Sequence, residues 1–239
     1  MDANRRAAVT AGVLFIAATV LNVAGTALSR SLLNGANYVD EVAANAARIN
    51  AGALLELLAA GACSGIAIAM YPILKNKSPA LALGSVAFRT MEAIMYGVAA
   101  ASLLSVLAVG GRYAQASPAD RIPAKAGADA LLDVRQQVTL VAVLAFSVGA
   151  LMYYGAFYRW RLVPRWLSGW GIAAIVLMVA VWVLALFSHQ PMTTYTVLLL
   201  PIAVQEMVLA VWLITRGFSD LGSGATPRLG AGSATTRPR

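Results

Sequence analysis

Three ionisable side chains stand in the middle of long apolar stretches of this chain. Arg89 and Glu92 lie within residues 81–109, and Glu206 lies within residues 195–215. A charge at the centre of a bilayer costs from about 3 to more than about 10 kcal/mol, so it persists only when it is paired or faces a cavity. A carboxylate or guanidinium kept there can bind an opposite charge or exchange a proton. These residues are therefore the first place to look for function.

The third apolar stretch carries its polar residues on one face. Ser85, Arg89, Glu92 and Tyr96 fall at i, i+4, i+7 and i+11, which is helical spacing. At about 1.5 Å per residue, Arg89 lies about 12 Å and Glu206 about 14 Å from the same membrane edge. Glu206, with Gln205 beside it, is thus level with Arg89 if the third and sixth helices are neighbours. Arg89 can pair with Glu92 or with Glu206, and the sequence leaves both open.

A second polar group lies nearer the outer edge of the membrane. Glu56 is about 8 Å below the outer end of the second stretch, and Arg135 and Gln136 lie at the outer end of the fourth. Asn22 gives the first stretch a polar stripe near the same level, together with Thr19 and Thr26. We predict a polar vestibule open to the outside. The alternative is a set of hydrogen bonds that hold the helices together.

The buried charges do not balance. Glu56, Glu92 and Glu206 face Arg89 alone, or Arg89 and Arg135 if the outer end is included. At least one carboxylate therefore lacks a cationic partner. Such a group can bind or relay a proton or a cation, or can stay neutral as a hydrogen-bonded glutamic acid.

The elements that must position these residues are membrane helices. The chain is 60% apolar and 12% charged, whereas soluble domains have roughly 45–50% and 25%. We predict an all-α integral membrane bundle over residues 1–218, followed by a disordered cytoplasmic tail over residues 219–239. The six spans are predicted at about 7–28, 51–74, 81–109, 138–157, 166–187 and 195–215.

The distribution of basic residues predicts the orientation of the bundle. Eleven bases flank the spans on the side that holds both termini, and five lie on the other side. By the positive-inside rule the N-terminus and the C-terminus are cytoplasmic. The bases are scattered around short turns instead of forming one stripe, which argues against a nucleic-acid partner.

Cysteine and histidine are too few for metal or thiol chemistry. Cys63 and His189 are the only residues of their types, so an all-protein His/Cys zinc site and an intramolecular disulfide are excluded. We predict no metal and no cofactor. No residue resembles an activated nucleophile, so no catalytic residue is assigned and an enzyme is disfavoured.

The two longer connections on the outer side carry helical signals. Asp40 and Glu41 open an alanine-rich stretch, and Arg48 is expected in its last turn. The second connection, residues 110–134, is predicted to begin a helix that runs into the fourth span. The two segments form a small external cap that can bind a partner, unless they are only solvated linkers.

The turn between the fourth and fifth spans alternates bases with tryptophans. Arg159, Trp160, Arg161, Arg165 and Trp166 lie in the stretch YRWRLVPRWLSGW. Arginines favour anionic headgroups and tryptophans favour the interface, so we predict a lipid anchor at the inner face of the bilayer. A specific lipid-binding site is the sharper alternative.

Small residues predict close helix contacts. Gly61 with Gly65, and Gly97 with Ala101, form small-xxx-small pairs in the second and third spans. These pairs are expected to bring the two spans together, or to form the seam of a homodimer. The fifth span has almost no polar side chain and is expected to face lipid.

Three segments of the chain resemble a known family. They are FRTMEAIMYG at 88–97, VPRWLSGWGI at 163–172 and LLPIAVQEMVLAVWLITRGF at 199–218. The chain resembles the bacterial membrane family called domain of unknown function 4386, from its first helix to Phe218. The resemblance implies a compact helical bundle in the bacterial cytoplasmic membrane, and it implies no activity.

Two functions remain in view from the sequence. The first is a pathway for a small solute, proton or ion, or a membrane-embedded ligand site, built on Arg89, Glu92 and Glu206. The second is an accessory or regulatory protein that binds a membrane partner through its outer loops, with the buried charges serving structure alone.

Overall fold

A computed structural model describes residues 2–188 and 192–219, so His189 and the predicted tail beyond Ser219 lie outside the described residues. Within them the chain forms helices and no strand. The helices are α1 (Ala3–Leu33), α2 (Tyr38–Ala44), α3 (Ala46–Lys75), α4 (Pro79–Tyr113), α5 (Pro118–Trp160), α6 (Arg165–Ser188) and α7 (Thr196–Thr215). All except α2 are long and apolar enough to cross a membrane. The predicted all-α bundle with six spans is confirmed.

The six long helices close into a ring. Each packs against the next along the chain, because short connections make antiparallel neighbours. The ring is closed by contact between α1 and α7. In the described residues α4 and α7 are not among the closely packed neighbours of the ring. The adjacency of the third and sixth spans, which a bond between Glu206 and Arg89 would require, is therefore not met. We call the end that carries α2 the cap end, and the end where α1 begins and α7 finishes the basic end.

Glycines set the closest approaches of α1. A Cβ on Gly12 would lie 2.7 Å from the carbonyl oxygen of Ala210 in α7, and one on Gly25 would lie 2.9 Å from that of Gly52 in α3. Neither position has room for a larger residue. The bare backbone of α1 therefore lets both neighbours of the ring approach it, as small residues do in membrane helices.

The small-xxx-small pair of the second span does not face the third span as predicted. A Cβ on Gly61 would meet nothing within 4 Å, and Gly65 faces Leu14 of α1. Gly97 of the third span does face the second, since its nearest neighbour is Leu57 of α3 at 4.0 Å. Periodicity does not say which neighbour a small face meets, and a homodimer seam stays a prediction.

The two longer connections pack together at the cap end. Tyr38, Val39 and Val42 of α2 are buried in a cluster that includes residues of α4 and α5. The Tyr38 hydroxyl donates to Asp129 Oδ1 of α5 at 2.6 Å. The predicted cap is thus present, and Asp40 and Glu41 do lie in the first turn of α2. Arg48 does not end that helix as expected, because the chain starts α3 at Ala46.

The Tyr38–Asp129 bond couples the cap to pH. The hydrogen bond from Tyr38, with help from Lys125, lowers the pKa of Asp129. Burial and the same bond raise the pKa of Tyr38 well above its usual range. The Asp129 contribution to stability is therefore present above its unfolded pKa and is lost as pH falls through its folded pKa.

We predict that the cap opens at acid pH and that Asp129→Asn removes this dependence. Amide hydrogen exchange of α2, followed from neutral to acid pH and corrected for the intrinsic rate, measures the opening. Asp133→Asn is the matched control, since Asp133 is an exposed neighbour on α5. If the Asp129→Asn variant and the wild-type protein lose α2 protection at the same pH, the Tyr38–Asp129 bond does not hold the cap.

Arg5 caps α7 at the basic end. Its guanidinium donates to the carbonyl oxygen of Leu213 at 3.1 Å and to that of Ile214. These carbonyls are among those that a helix leaves without partners at its C-terminus, where a positive charge is also favoured. Beyond them the chain turns at Gly217, whose φ of +77° favours glycine. Arg5 therefore fastens the first helix of the ring to the last.

We predict that Arg5→Met lowers the free energy of unfolding by about 1.5–3 kcal/mol, the usual range for a hydrogen bond to a charged group. Thermal unfolding in mild detergent measures the change. Arg6→Met removes a neighbouring exposed charge and should leave stability within about 0.5 kcal/mol of wild type. Equal losses in both variants would mean that Arg5 acts only through its charge.

Candidate functional site

Arg89 is fully buried inside the ring. Its Cζ lies 4.8 Å from the centroid of the Phe146 ring on α5, a cation–π contact. A Cβ on Gly149 would lie 3.2 Å from Arg89 Cγ. The aliphatic part of the arginine therefore crosses α5 where α5 has no side chain. One helix thus supplies both the space and the aromatic support for a charge on its neighbour.

Arg89 pairs with Glu92 on its own helix. Arg89 Nη1 lies 2.9 Å from Glu92 Oε2, and the two side chains are 2% and 3% exposed. Between the two alternatives left open by the sequence, the structure brings together the i, i+3 pair. The alignment of this pair does not make a hydrogen bond, since both atoms stay without a hydrogen-bond partner in the described residues. The contact is therefore chiefly ionic.

Glu206 reaches the interior from α7 on the far side of the ring. Its Oε1 is buried and has no hydrogen-bond partner among the described residues. The Tyr153 hydroxyl of α5 faces the carboxyl group, and Arg89 and Glu92 are within electrostatic range of it. Among the described residues Glu206 forms no salt bridge. It is the buried acid that no base neutralises at contact distance.

Unpartnered polar atoms gather at this point. A buried polar atom without a hydrogen bond costs about 1–3 kcal/mol, and native proteins keep few of them. Most of those in the described residues belong to this interior cluster, on α4, α5 and α7. They are Ser85 Oγ, Arg89 Nε and Nη1, Glu92 Oε2, Tyr153 Oη and Glu206 Oε1, while Trp212 Nε1 is the remaining one. This concentration of unmet hydrogen-bonding capacity makes the interior cluster the candidate functional site.

Gln205, by contrast, is fully satisfied. Its Oε1 accepts a hydrogen bond from the Tyr154 hydroxyl of α5, and its Nε2 donates to the Leu167 carbonyl of α6 at 3.1 Å. A Cβ on Gly171 of α6 would collide with the Tyr154 ring, so that glycine leaves space for it. The Gln205 side chain thus links α7 to α5 and to α6 by hydrogen bonds. Its role as a site residue stays a prediction that this geometry does not favour.

The second polar group predicted from the sequence forms a closed salt bridge. Arg135 Nη2 donates to both oxygens of Glu56, at 2.7 and 2.9 Å, and Nη1 donates to the Ala99 carbonyl at 2.7 Å. This network joins α3, α4 and α5. Gln136 is half-buried and Asn22 is exposed. Glu56 is therefore a structural partner of Arg135, and Glu206 is the acid left over in the charge balance.

The Glu56–Arg135 and Arg89–Glu92 pairs lie between two separate apolar clusters. Glu206 lies on α7 between Ile202 and Leu209, which both belong to the larger cluster. On α3 the cluster near the cap ends at Ala53, and the larger cluster begins at Ile66. On α4 the corresponding limits are Leu103 and Ala82. We call the interior between them the polar band. It holds the ionisable residues and small buried residues that belong to neither cluster: Glu56, Ala59, Ala60, Ala62, Ser85, Arg89, Glu92, Ala99 and Ala100.

Three residues of the site carried no signal that we used in the sequence. Cys63 of α3 lies beside Glu92, Tyr153 faces Glu206, and Gly149 makes room for Arg89. Tyr96, which we did predict, is half-buried and close to Glu92 and Cys63. The double tyrosine at 153 and 154 in an apolar span was the one visible hint, because a buried phenol needs a partner.

The basic end carries the predicted lipid anchor. Arg159, Arg161, Arg165 and Trp166 are exposed, and Trp160 is half-buried against the large apolar cluster. The α5–α6 turn also meets the end of the ring, since the Ser219 amide donates to the Leu162 carbonyl at 2.8 Å. The bases and the exposed tryptophan are thus free to meet headgroups, although lipid binding stays a prediction.

Comparison with known families agrees with this architecture. A family model described as Domain of unknown function (DUF4386) matches residues 10–217. The chain belongs to this family. The match includes the first helix from residue 10 onward, the other spanning helices and the whole polar band of this DUF4386 protein. No curated protein and no solved structure matches the chain.

We predict that Arg89→Met lowers the free energy of unfolding of this DUF4386 protein by about 3–5 kcal/mol, because it strands a buried charge. Adding Glu92→Gln should restore most of the loss, since it removes the stranded partner. Adding Glu206→Gln instead should restore less. Thermal unfolding of the three variants in mild detergent measures which second substitution restores more stability. A stronger rescue by Glu206→Gln would show that Arg89 pairs across the ring.

Proposed function

We propose that this multi-pass membrane protein binds and releases one positive charge, a proton or a small cation, at Glu206 inside its ring of helices. The observation that carries the proposal is the charge balance of the interior of the ring. Two of its carboxylates have a base at 2.7–2.9 Å. The third, Glu206, has a buried oxygen without a hydrogen-bond partner in the described residues.

The electrostatics favour a single exchangeable charge. The Arg89–Glu92 pair is neutral as a unit, so ionised Glu206 adds an uncompensated negative charge to a low-dielectric interior. A bound proton or cation removes that charge. Tyr153 offers a hydroxyl to the same carboxyl group, while the neighbouring acid, Glu92, has the Arg89 guanidinium at 2.9 Å. The two carboxylates therefore differ in their surroundings, since in the described residues one has a base at contact distance and the other has none.

The membrane and its orientation belong to the same proposal. We place the protein in the bacterial cytoplasmic membrane with its basic end in the cytoplasm. The described basic end carries Arg5, Arg6, Lys75, Lys77, Arg159, Arg161, Arg165 and Arg216 and only one acid, Asp2. At the cap end acids and bases are nearly balanced. The positive-inside rule and the attraction of anionic lipids for arginine both support this orientation.

A second candidate function has its own observation at the cap end. A surface cleft of about 330 Å³ opens beside Tyr113 and Asp129 and is lined by Arg121 and Lys125. Arg121 stacks over Tyr113 at 5.2 Å, which leaves a fixed cation at the rim. This favours an accessory protein that docks a membrane partner through its cap. If this function is correct, the Arg121→Gln variant should fold normally and should no longer capture the membrane partner.

We predict that wild-type protein takes up about one proton more than Glu206→Gln when it is titrated between about pH 9 and pH 5. A pH-sensitive dye in lightly buffered detergent solution counts the protons. The double variant Arg89→Met/Glu92→Gln is the matched control, because it removes the neutral pair and keeps Glu206, so it should retain the uptake. Equal uptake by wild type and Glu206→Gln would contradict the proposal.

A further inference from the structure

The two halves of α7 differ in how they meet the ring. In the half that ends at the basic end, Leu209, Ala210 and Leu213 are fully buried. In the first half, residues 196–204, Ile202 is the one buried residue. Val197 there is 76% exposed and Val204 is 50% exposed. The side chains in the first half of α7 are therefore mostly exposed and make few buried contacts with the rest of the ring.

The half of α1 near the cap end packs against α3 instead of α7. The contacts of α1 with α7 described above, at Arg5 and Gly12, lie in the half nearest the basic end. Further along, Val20, Asn22 and Val23 are exposed. Gly25 then packs against Gly52 of α3. Toward the cap end α1 therefore leans on α3, while the first half of α7 stays exposed.

The cap does not cover this side of the ring. Its apolar cluster is made by residues of α1, α2, α3, α4 and α5, and in the described residues neither α6 nor α7 contributes. Glu206 follows directly on the exposed half of α7. It is half-buried as a residue although its Oε1 is enclosed. Part of this residue is therefore exposed at the surface of the bundle, while its Oε1 is enclosed.

We propose that the seam between residues 20–28 of α1 and residues 196–204 of α7 is a lateral entrance from the bilayer, through which a lipophilic organic cation reaches Glu206. This inference rests on the proposed function and names the ligand class for the same site. We call this region the α1–α7 seam.

Charge complementarity selects a cation as the occupant. The acid at the inner end of the seam is the buried carboxylate without a base at contact distance in the described residues. Aromatic rings stand beside it: the centroids of Tyr153 and Tyr154 are 4.5 Å apart, and Phe15 of α1 meets Tyr153 at 6.3 Å. Ring faces attract organic cations, most strongly where water is excluded.

The rim of the seam selects a ligand with an apolar body. Val23 of α1 and Ala203 of α7 are exposed at the seam, and Val20, Val197, Leu200 and Val204 are exposed on the adjoining outer faces of the two helices. A hydrated metal ion would therefore cross an apolar surface without ligands. Asn22 adds one exposed polar side chain on α1. A cationic group carried on an apolar body matches both the rim and the acid inside.

The test uses tetraphenylphosphonium as the probe and tetraphenylborate, which has nearly the same shape and the opposite charge, as its control. We expect the purified full-length protein in neutral detergent to bind the phosphonium and to release protons as it binds. Glu206→Gln should weaken phosphonium binding at least about tenfold. Equal binding of phosphonium and borate, or equal binding by wild type and Glu206→Gln, would overturn the inference.

A pair of bulky variants tests the entrance itself. Ala203 is exposed and lies 11 residues before Ile214, on the face of α7 that meets α1, so Ala203→Trp places a large ring at the α1–α7 seam. Val176→Trp places the same ring at an exposed position on α6. Only Ala203→Trp should slow phosphonium binding, by about tenfold or more. Equal rates of phosphonium binding by the two variants would show that the entrance lies elsewhere and would overturn the inference about the α1–α7 seam.

The outcomes separate this inference from the proposed function. If wild type shows the extra proton of Glu206 but does not bind the phosphonium, the ligand class is wrong and the exchanging site stands. If the extra proton is also missing, the site itself is wrong.

Discussion

A buried charge must be neutralised, and this requirement shapes the interior of the ring. Glu56 is held by Arg135, which also reaches the Ala99 carbonyl and so ties α3, α4 and α5 together. Arg89 is held by Glu92 and lies across Gly149 of α5. Two acids and two bases are used in these contacts. Among the residues that the structure describes, Glu206 of α7 has no base at contact distance. That imbalance is the basis of the functional account.

Most of the packing in the bundle comes from residues outside the candidate site. Aromatic and aliphatic residues form the large cluster, and the cap has a smaller one of its own. Gln205 satisfies both ends of its amide and joins α7 to α5 and α6. The polar band between the clusters is lined by alanines and carries unpartnered polar atoms instead. Groups left unsatisfied at a stability cost are the ones expected to act on something else.

The sequence predicted the class of fold because length and hydropathy suffice for membrane helices. It also predicted the residues of the interior, since Arg89, Glu92 and Glu206 have no other reason to stand in apolar spans. It did not predict which helices meet. Periodicity places Gly61 and Gly65 on one face but not against one partner, and depth matching places Glu206 level with Arg89 but not beside it. Tyr153, Cys63 and Gly149 entered the site only through the packing of α5 and α3, which a single sequence does not reveal.

The most direct test of the central claim is the protonation of Glu206 itself. Infrared difference spectroscopy detects the carbonyl stretch of a protonated carboxylic acid, which is absent from a carboxylate. The account predicts a band of this kind that appears and disappears as wild-type protein is titrated, that persists in Arg89→Met/Glu92→Gln, and that is missing from Glu206→Gln. A titrating band that survives in Glu206→Gln would contradict the account, because the exchanging group would then be another acid.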